Sequence, residues 1–129
     1  MIPQIILLSA TLFGALAIIL GAFGAHALKK IFTTDQMQSF ETGVKYQMYH
    51  AIVLLVIGLQ LKFETNLEQA MAWCFVTGVI LFSFSIYGLC ISSAKGTKIK
   101  ILGPVTPLGG LCLLSGWILL FVRFLSPVI

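Results

Sequence analysis

Strongly apolar residues fill most of this chain, and its few charges cut it into four uncharged stretches. Residues 1–28 precede Lys29, 46–61 lie between Lys45 and Lys62, 69–94 between Glu68 and Lys95, and 101–122 between Lys100 and Arg123. A helix of about 20 apolar residues crosses the hydrocarbon core of a bilayer. Each stretch is therefore read as a membrane-spanning helix, over about residues 4–28, 46–61, 70–92 and 107–125.

The second stretch is short by itself, but the residues before it extend it. Thr33 and Gln36 have capping-box spacing. Met37, Phe40, Val44 and Met48 then recur on one helical face, with Gln38, Glu41, Thr42 and Lys45 on the other. This pattern predicts an amphipathic lead-in lying at the membrane interface. With Glu41 and Lys45 as an i,i+4 pair, the helix is expected to run unbroken from about Asp35 to Leu61, with Gly43 as a bend. The fourth stretch opens on Gly103-Pro104-Val105-Thr106-Pro107. Proline disfavours helix in the residue before it, so 101–105 is expected to be extended, with Thr106 as N-cap and Pro107 as the first helical residue. Ser126-Pro127 is expected to end that helix. The fold class that follows is all-α: one integral membrane domain over residues 1–129, a polytopic four-helix bundle with an amphipathic lead-in to the second helix.

Composition agrees with this pattern and narrows the function. The 129 residues are 59% hydrophobic and 9% charged, with a mean hydropathy of +1.06. A soluble domain carries about 25% charged residues, so a cytosolic enzyme, a disordered segment and a nucleic-acid module are all excluded. The net charge of +4 is unevenly placed. Lys29, Lys30, Lys45, Lys95, Lys98 and Lys100 lie on one side of the spans, and Lys62 and Arg123 on the other. The positive-inside rule puts the 29–45 and 92–106 connections in the cytoplasm. Both termini and the 62–69 turn are then extracytoplasmic, and the chain is a multi-pass protein of the cell's inner or plasma membrane. Ala25-His26-Ala27 looks like a signal-peptide cleavage site, but Lys29-Lys30 follow the apolar run instead of preceding it. The first stretch is thus read as a retained span. Trp73 is the expected interface anchor.

Candidate chemistry is sparse. Cys74, Cys90 and Cys112 show no CxxC spacing and read as packing residues. No converging ligand set predicts a metal, and no cofactor is expected. No span carries a carboxylate or a nucleophile-base pair, so no catalytic constellation is visible. Polar residues assigned to the inner ends of the spans are the remaining signal: His26, Gln47, His50, Tyr87 and Thr106, with Tyr46, Ser83 and Ser85 nearby. These five are expected to form a polar pocket on the cytoplasmic side with the 103–107 backbone, with His26 and His50 at one depth sharing a partner. Lys29, Lys30, Lys95, Lys98 and Lys100 are the expected contacts to lipid headgroups. Small-xxx-small spacings at Ala10 to Gly14, Ala17 to Gly21 to Ala25, and Cys112 to Gly116 allow close helix approach. They serve packing inside the bundle, a homo-oligomer or a membrane-protein partner.

Three longer motifs carry a resemblance. Gly21-Ala22-Phe23-Gly24-Ala25-His26-Ala27-Leu28, Phe40-x-Thr42-Gly43-x-x-Tyr46-Gln47-x-Tyr49-His50-Ala51, and Gly103-Pro104-x-Thr106-Pro107-x-Gly109-Gly110 with Gly116-Trp117 resemble the YgdD/YwdK-like family of small four-span membrane proteins. Phe84 stands where that family tends to carry glycine in its third span. The resemblance implies the four-span fold and supplies no activity. The reading that follows is a non-catalytic bundle binding a membrane lipid, a small hydrophobic ligand or a membrane partner at the polar pocket. The alternatives are a small transporter or channel using histidine proton chemistry, and a bis-histidine haem-binding membrane subunit.

Overall fold

The computed structural model describes residues 1–125; Ser126-Pro127 lies outside the described residues. Four helices in it are long and apolar enough to span a membrane: Ile2–His26, Thr34–Gln60, Asn66–Ala94 and Leu102–Leu125. We label the regular helices α1 (Ile2–His26), α2 (Thr34–Gln60), α3 (Asn66–Val79), α4 (Ser85–Ala94) and α5 (Leu102–Leu125). α3 and α4 belong to one span and are joined by a π-helical segment, Ile80–Phe84. Among the described residues there is no strand. The chain is an all-α four-helix membrane bundle.

A 3-10 turn, Leu28–Lys30, reverses the chain between α1 and α2. The Thr33 hydroxyl then accepts from Gln36 N–H at 3.1 Å, and the Gln36 side chain accepts from Thr33 N–H at 2.9 Å. This capping box satisfies two donors that a helix start leaves unpaired. From it α2 runs unbroken to Gln60. Its amphipathic start is buried for a different reason than expected. Phe40, with Met37 and Val44 beside it, packs into a core of Leu28, Phe32, Ile86, Tyr87 and Cys90, so the apolar face meets protein. Gly43, expected as a bend, is where Tyr87 presses on α2: a Cβ there would lie 2.8 Å from the Tyr87 ring.

α1 packs along α2, and the third span packs along α5. In the first seam an added Cβ on Gly14 would meet Ala51, on Gly21 Val44, and on Gly58 Leu7. The stripe of small residues on α1 is therefore occupied by α2 within the chain. In the second seam Gly109 lies against backbone: a Cβ would touch Phe82 N and come within 2.7 Å of Leu81 C and Phe82 Cα. This contact falls on the π-segment, where one residue more than an α-turn needs is inserted. A second, larger core gathers Ile6, Phe13, Leu54, Met71, Phe75, Val79 and Leu113. At the end of the bundle that carries the α2–α3 turn, the Arg123 guanidinium donates to Glu68 at 2.8 Å, tying the last turn of α5 to the first of α3. The three cysteines are free.

The start of α5 corrects the expectation drawn from its prolines. The helix begins at Leu102, five residues before Pro107, so Thr106 is not an N-cap and 101–105 is not extended. The reason lies in which N–H groups a helix uses. Pro104 falls within the first four residues, whose N–H groups have no partner inside the helix. Only Pro107 removes a bond, the one to the Gly103 carbonyl, and both residues are exposed. A turn at 99–103 leads in, with Leu102 N–H donating to Ile99 and Gly103 N–H to Lys100.

Candidate functional site

The five residues expected to form one pocket divide into separate contacts. Gln47 is fully buried. Its amide donates to the Phe13 carbonyl at 2.8 Å and accepts from the Tyr87 hydroxyl at 2.7 Å, linking α1, α2 and α4. Beside it the Ser83 hydroxyl donates to the Gly43 carbonyl at 2.7 Å. Gln47 and Tyr87 thus meet as the sequence suggests, but as a closed pair within the bundle.

His50 is elsewhere than expected. α2 begins at Thr34, so at 1.5 Å per residue His50 stands about 24 Å from that end. Residues facing each other across the α1–α2 seam, such as Gly14 and Ala51 or Gly21 and Val44, place His50 opposite Ala15. His26, at the C-terminal end of α1 and exposed, is then about 16 Å away along the axis. The expectation of a shared partner fails on this distance, and with it the bis-histidine haem reading, since two axial ligands must converge on one iron. His50 is instead bonded at both ring nitrogens. Nδ1 lies 2.7 Å from the Tyr46 carbonyl and Nε2 lies 3.1 Å from the Trp117 indole nitrogen. A carbonyl only accepts and an indole N–H only donates, so the ring is the neutral tautomer with its proton on Nδ1. Phe75 packs against both rings, at centroid distances of 5.7 Å.

Trp117 is the partner that sequence reasoning missed. The available signal was depth. It lies about 22 Å from the start of α5, level with His50 in α2, and an indole N–H held within hydrocarbon needs an acceptor.

Thr106 joins a third contact, its hydroxyl 2.6 Å from that of Ser85 on α4. Replacing Thr106 with alanine removes one interhelical hydrogen bond and no cap. The expected loss is about 0.6 kcal/mol, read as a small downward shift of the thermal midpoint in detergent. A loss two or three times larger would restore the capping role.

A cleft does open at this end, on other residues. It measures about 560 Å³ and lies between the start of α2, the end of α4 and the start of α5. Asp35, Ser39 and Thr42 line one wall, Ser93 and Lys98 another, and Ile86, Leu89 and Pro107 supply apolar surface. Of the five side chains expected in the pocket Thr106 alone lines it, together with Gly103 and Pro107 of the 103–107 stretch. The Gln36 side chain donates to the Ser93 hydroxyl at 3.3 Å, and the Cys90 thiol donates to the Gln36 carbonyl at 3.4 Å; these bonds tie α2 to α4 beside the cleft. Lys29, Lys30, Lys95, Lys98 and Lys100, expected from the sequence to meet headgroups, are all exposed.

A family model described as "Protein of unknown function (DUF423)" matches residues 20–110. The chain belongs to the DUF423 family. A UPF0382 membrane protein of Staphylococcus haemolyticus is 40% identical over 103 residues, covering 79% of this chain and 80% of its own length. The UPF0382 membrane protein YwdK of Bacillus subtilis is 38% identical over 109 residues, covering 83% and 85%. The UPF0382 inner membrane protein YgdD of Escherichia coli is 34% identical over 125 residues, covering 95% and 90%. No solved structure matches the chain. The DUF423 match runs from late α1 into early α5, so it takes in Gln47, His50, Tyr87 and the whole cleft. Trp117 and Arg123 lie beyond it.

Proposed function

We propose that this DUF423 protein is a non-catalytic bundle that binds a membrane lipid in the cleft between α2, α4 and α5. The single observation carrying the reading is the make-up of that cleft, with polar groups on its rim and apolar residues Ile86, Leu89 and Pro107 beside them. Its volume of about 560 Å³ lies in the range of small-molecule sites. An amphipathic molecule suits both surfaces. The interior contacts support the same choice by contrast: Gln47, His50 and Tyr87 bond to protein groups, so the cleft is where polar groups face outward. The lysines at this end favour a cytoplasmic location under the positive-inside rule, with both termini across the membrane, and they attract anionic headgroups at about 1 kcal/mol each.

Ser39 is exposed on the α2 wall of the cleft, so tryptophan there fills the cleft without entering the core. Native mass spectrometry of the protein purified in mild detergent should show retained phospholipid, and Ser39→Trp should reduce it about tenfold, equivalent to some 1.4 kcal/mol. Equal lipid on both proteins, or none on the wild type, refutes the proposal.

A further inference from the structure

Asp35 and Lys98 line the same cleft from different elements, yet neither takes part in an ion pair among the described residues, where Arg123 with Glu68 is the salt bridge formed. A carboxylate and an ammonium in one open cleft, left apart, are a matched pair of receptors for a ligand that itself carries both charges. We propose that the cleft selects a phospholipid whose zwitterionic headgroup joins a phosphate to a primary amine, with the phosphate at Lys98 and the ammonium at Asp35. This deepens the lipid-binding reading and rests on it.

Both charges stand on backbone that is fixed. Asp35 sits in the first turn of α2, inside the capping box of Thr33 and Gln36. An acidic side chain in the first turn of a helix is favourably placed against the macrodipole. Lys98 sits in the loop after α4. There Gly96 adopts a φ of +79°, Thr97 N–H donates to the Ser92 carbonyl at 3.0 Å, and Ile99 N–H donates to the Ser92 hydroxyl at 3.2 Å. The loop is thus bonded on both sides of Lys98, and Ser92 is buried.

Charge arithmetic separates the candidate headgroups. A purely anionic head gains Lys98 but meets the Asp35 carboxylate, which repels it. A choline head carries the positive charge but has no N–H to donate. A primary ammonium donates three hydrogen bonds and a carboxylate accepts them, a charge-assisted pairing stronger than a neutral one. Ser39 and Thr42, one and two turns along α2 from Asp35, add hydroxyls on that wall. The remaining lysines, outside the cleft lining, attract anionic lipid to the surface without selecting what enters.

The test offers the full-length protein an equimolar mixture of phosphatidylethanolamine, phosphatidylcholine and phosphatidylglycerol in mixed micelles, with the bound adducts counted by native mass spectrometry. The wild type should retain phosphatidylethanolamine about fivefold over each of the others, a ratio set by one charge-assisted interaction. Asp35→Asn should bring the ethanolamine-to-choline ratio to about one while total lipid stays within about twofold, and Lys98→Gln should lower all three by roughly fivefold to tenfold. Soluble glycerophosphoethanolamine at matched concentration should not displace the lipid. Preference for phosphatidylglycerol, or an unchanged ratio in Asp35→Asn, overturns the headgroup assignment and leaves lipid binding standing. Displacement by the soluble headgroup overturns the choice of a lipid over its free headgroup. Absence of any adduct on the wild type removes both readings.

Discussion

Replacing Gly109 with alanine should destabilise the bundle by about 3 kcal/mol, the upper part of the range for overpacking a tight interior. The added methyl would be driven against the Phe82 nitrogen and to within 2.7 Å of Leu81 C and Phe82 Cα. Those are backbone atoms of the π-segment and cannot rotate away as a side chain would. Either α5 must back off from the third span, losing the neighbouring contact of Gly116 with the Phe75 ring, or the π-segment must rearrange. In a bilayer helix association depends on close packing more than on solvent exclusion, so lost contact is not offset by hydrophobic burial. Gly110 supplies the control. A Cβ there meets only Phe82 Cδ2, at an ordinary 3.9 Å, and alanine removes helical flexibility at no steric cost. Unfolding titrations in mixed micelles should therefore separate two adjacent substitutions by at least about 2 kcal/mol. Equal stabilities would mean that the α5 seam is loose and that the π-segment is not held by it.

What could be read from the sequence depended on the range of the signal. The four spans, the capping box at Thr33 and Gln36, and the unbroken α2 rest on local pattern, and each is present. Gln47 and Tyr87 were singled out because polar groups among apolar ones must find partners, although nothing local says that they find each other. The errors share one physical source. Taking Lys45 as the membrane boundary placed His50 at the inner edge, but a lysine can carry its charge along the helix surface to the interface. α2 had already run eleven residues before reaching Lys45. That shift put His50 beside Trp117 instead of His26. The prolines of early α5 were read as a break because their local preference is strong, whereas the first turn of a helix makes little use of N–H groups. The cleft walls of Asp35 and Lys98 depend on how the 95–101 loop returns to α2, a nonlocal fact. The π-segment was likewise silent, and the residue that packs on its backbone, Gly109, is distant in sequence.

The Gln47 and Tyr87 pair should show the largest coupling in the molecule. Replacing Gln47 with leucine keeps most of the volume but leaves the buried Tyr87 hydroxyl without the acceptor it reaches at 2.7 Å. It also removes the amide that bonds the Phe13 carbonyl on α1. The expected loss is about 3 kcal/mol: two hydrogen bonds, one of which strands a donor in a medium with no water. Tyr87→Phe strands only the Gln47 oxygen, while the amide stays anchored to Phe13, and should cost about 1.5 kcal/mol. Replacing both removes the donor and the acceptor together, so the double variant should be less destabilised than the sum of the singles by at least about 1 kcal/mol. A sum that is simply additive would mean that the pair does not hold α2 to α4. Coupling with the wild-type lipid complement retained would assign the pair to the architecture and leave recognition to the cleft. The separation follows from geometry: Gln47 is fully buried and Tyr87 is part of an apolar core, whereas Asp35 and Lys98 are exposed and line the open cleft. Loss of lipid from Gln47→Leu at a temperature where its helices remain folded would instead return Gln47 to the binding site.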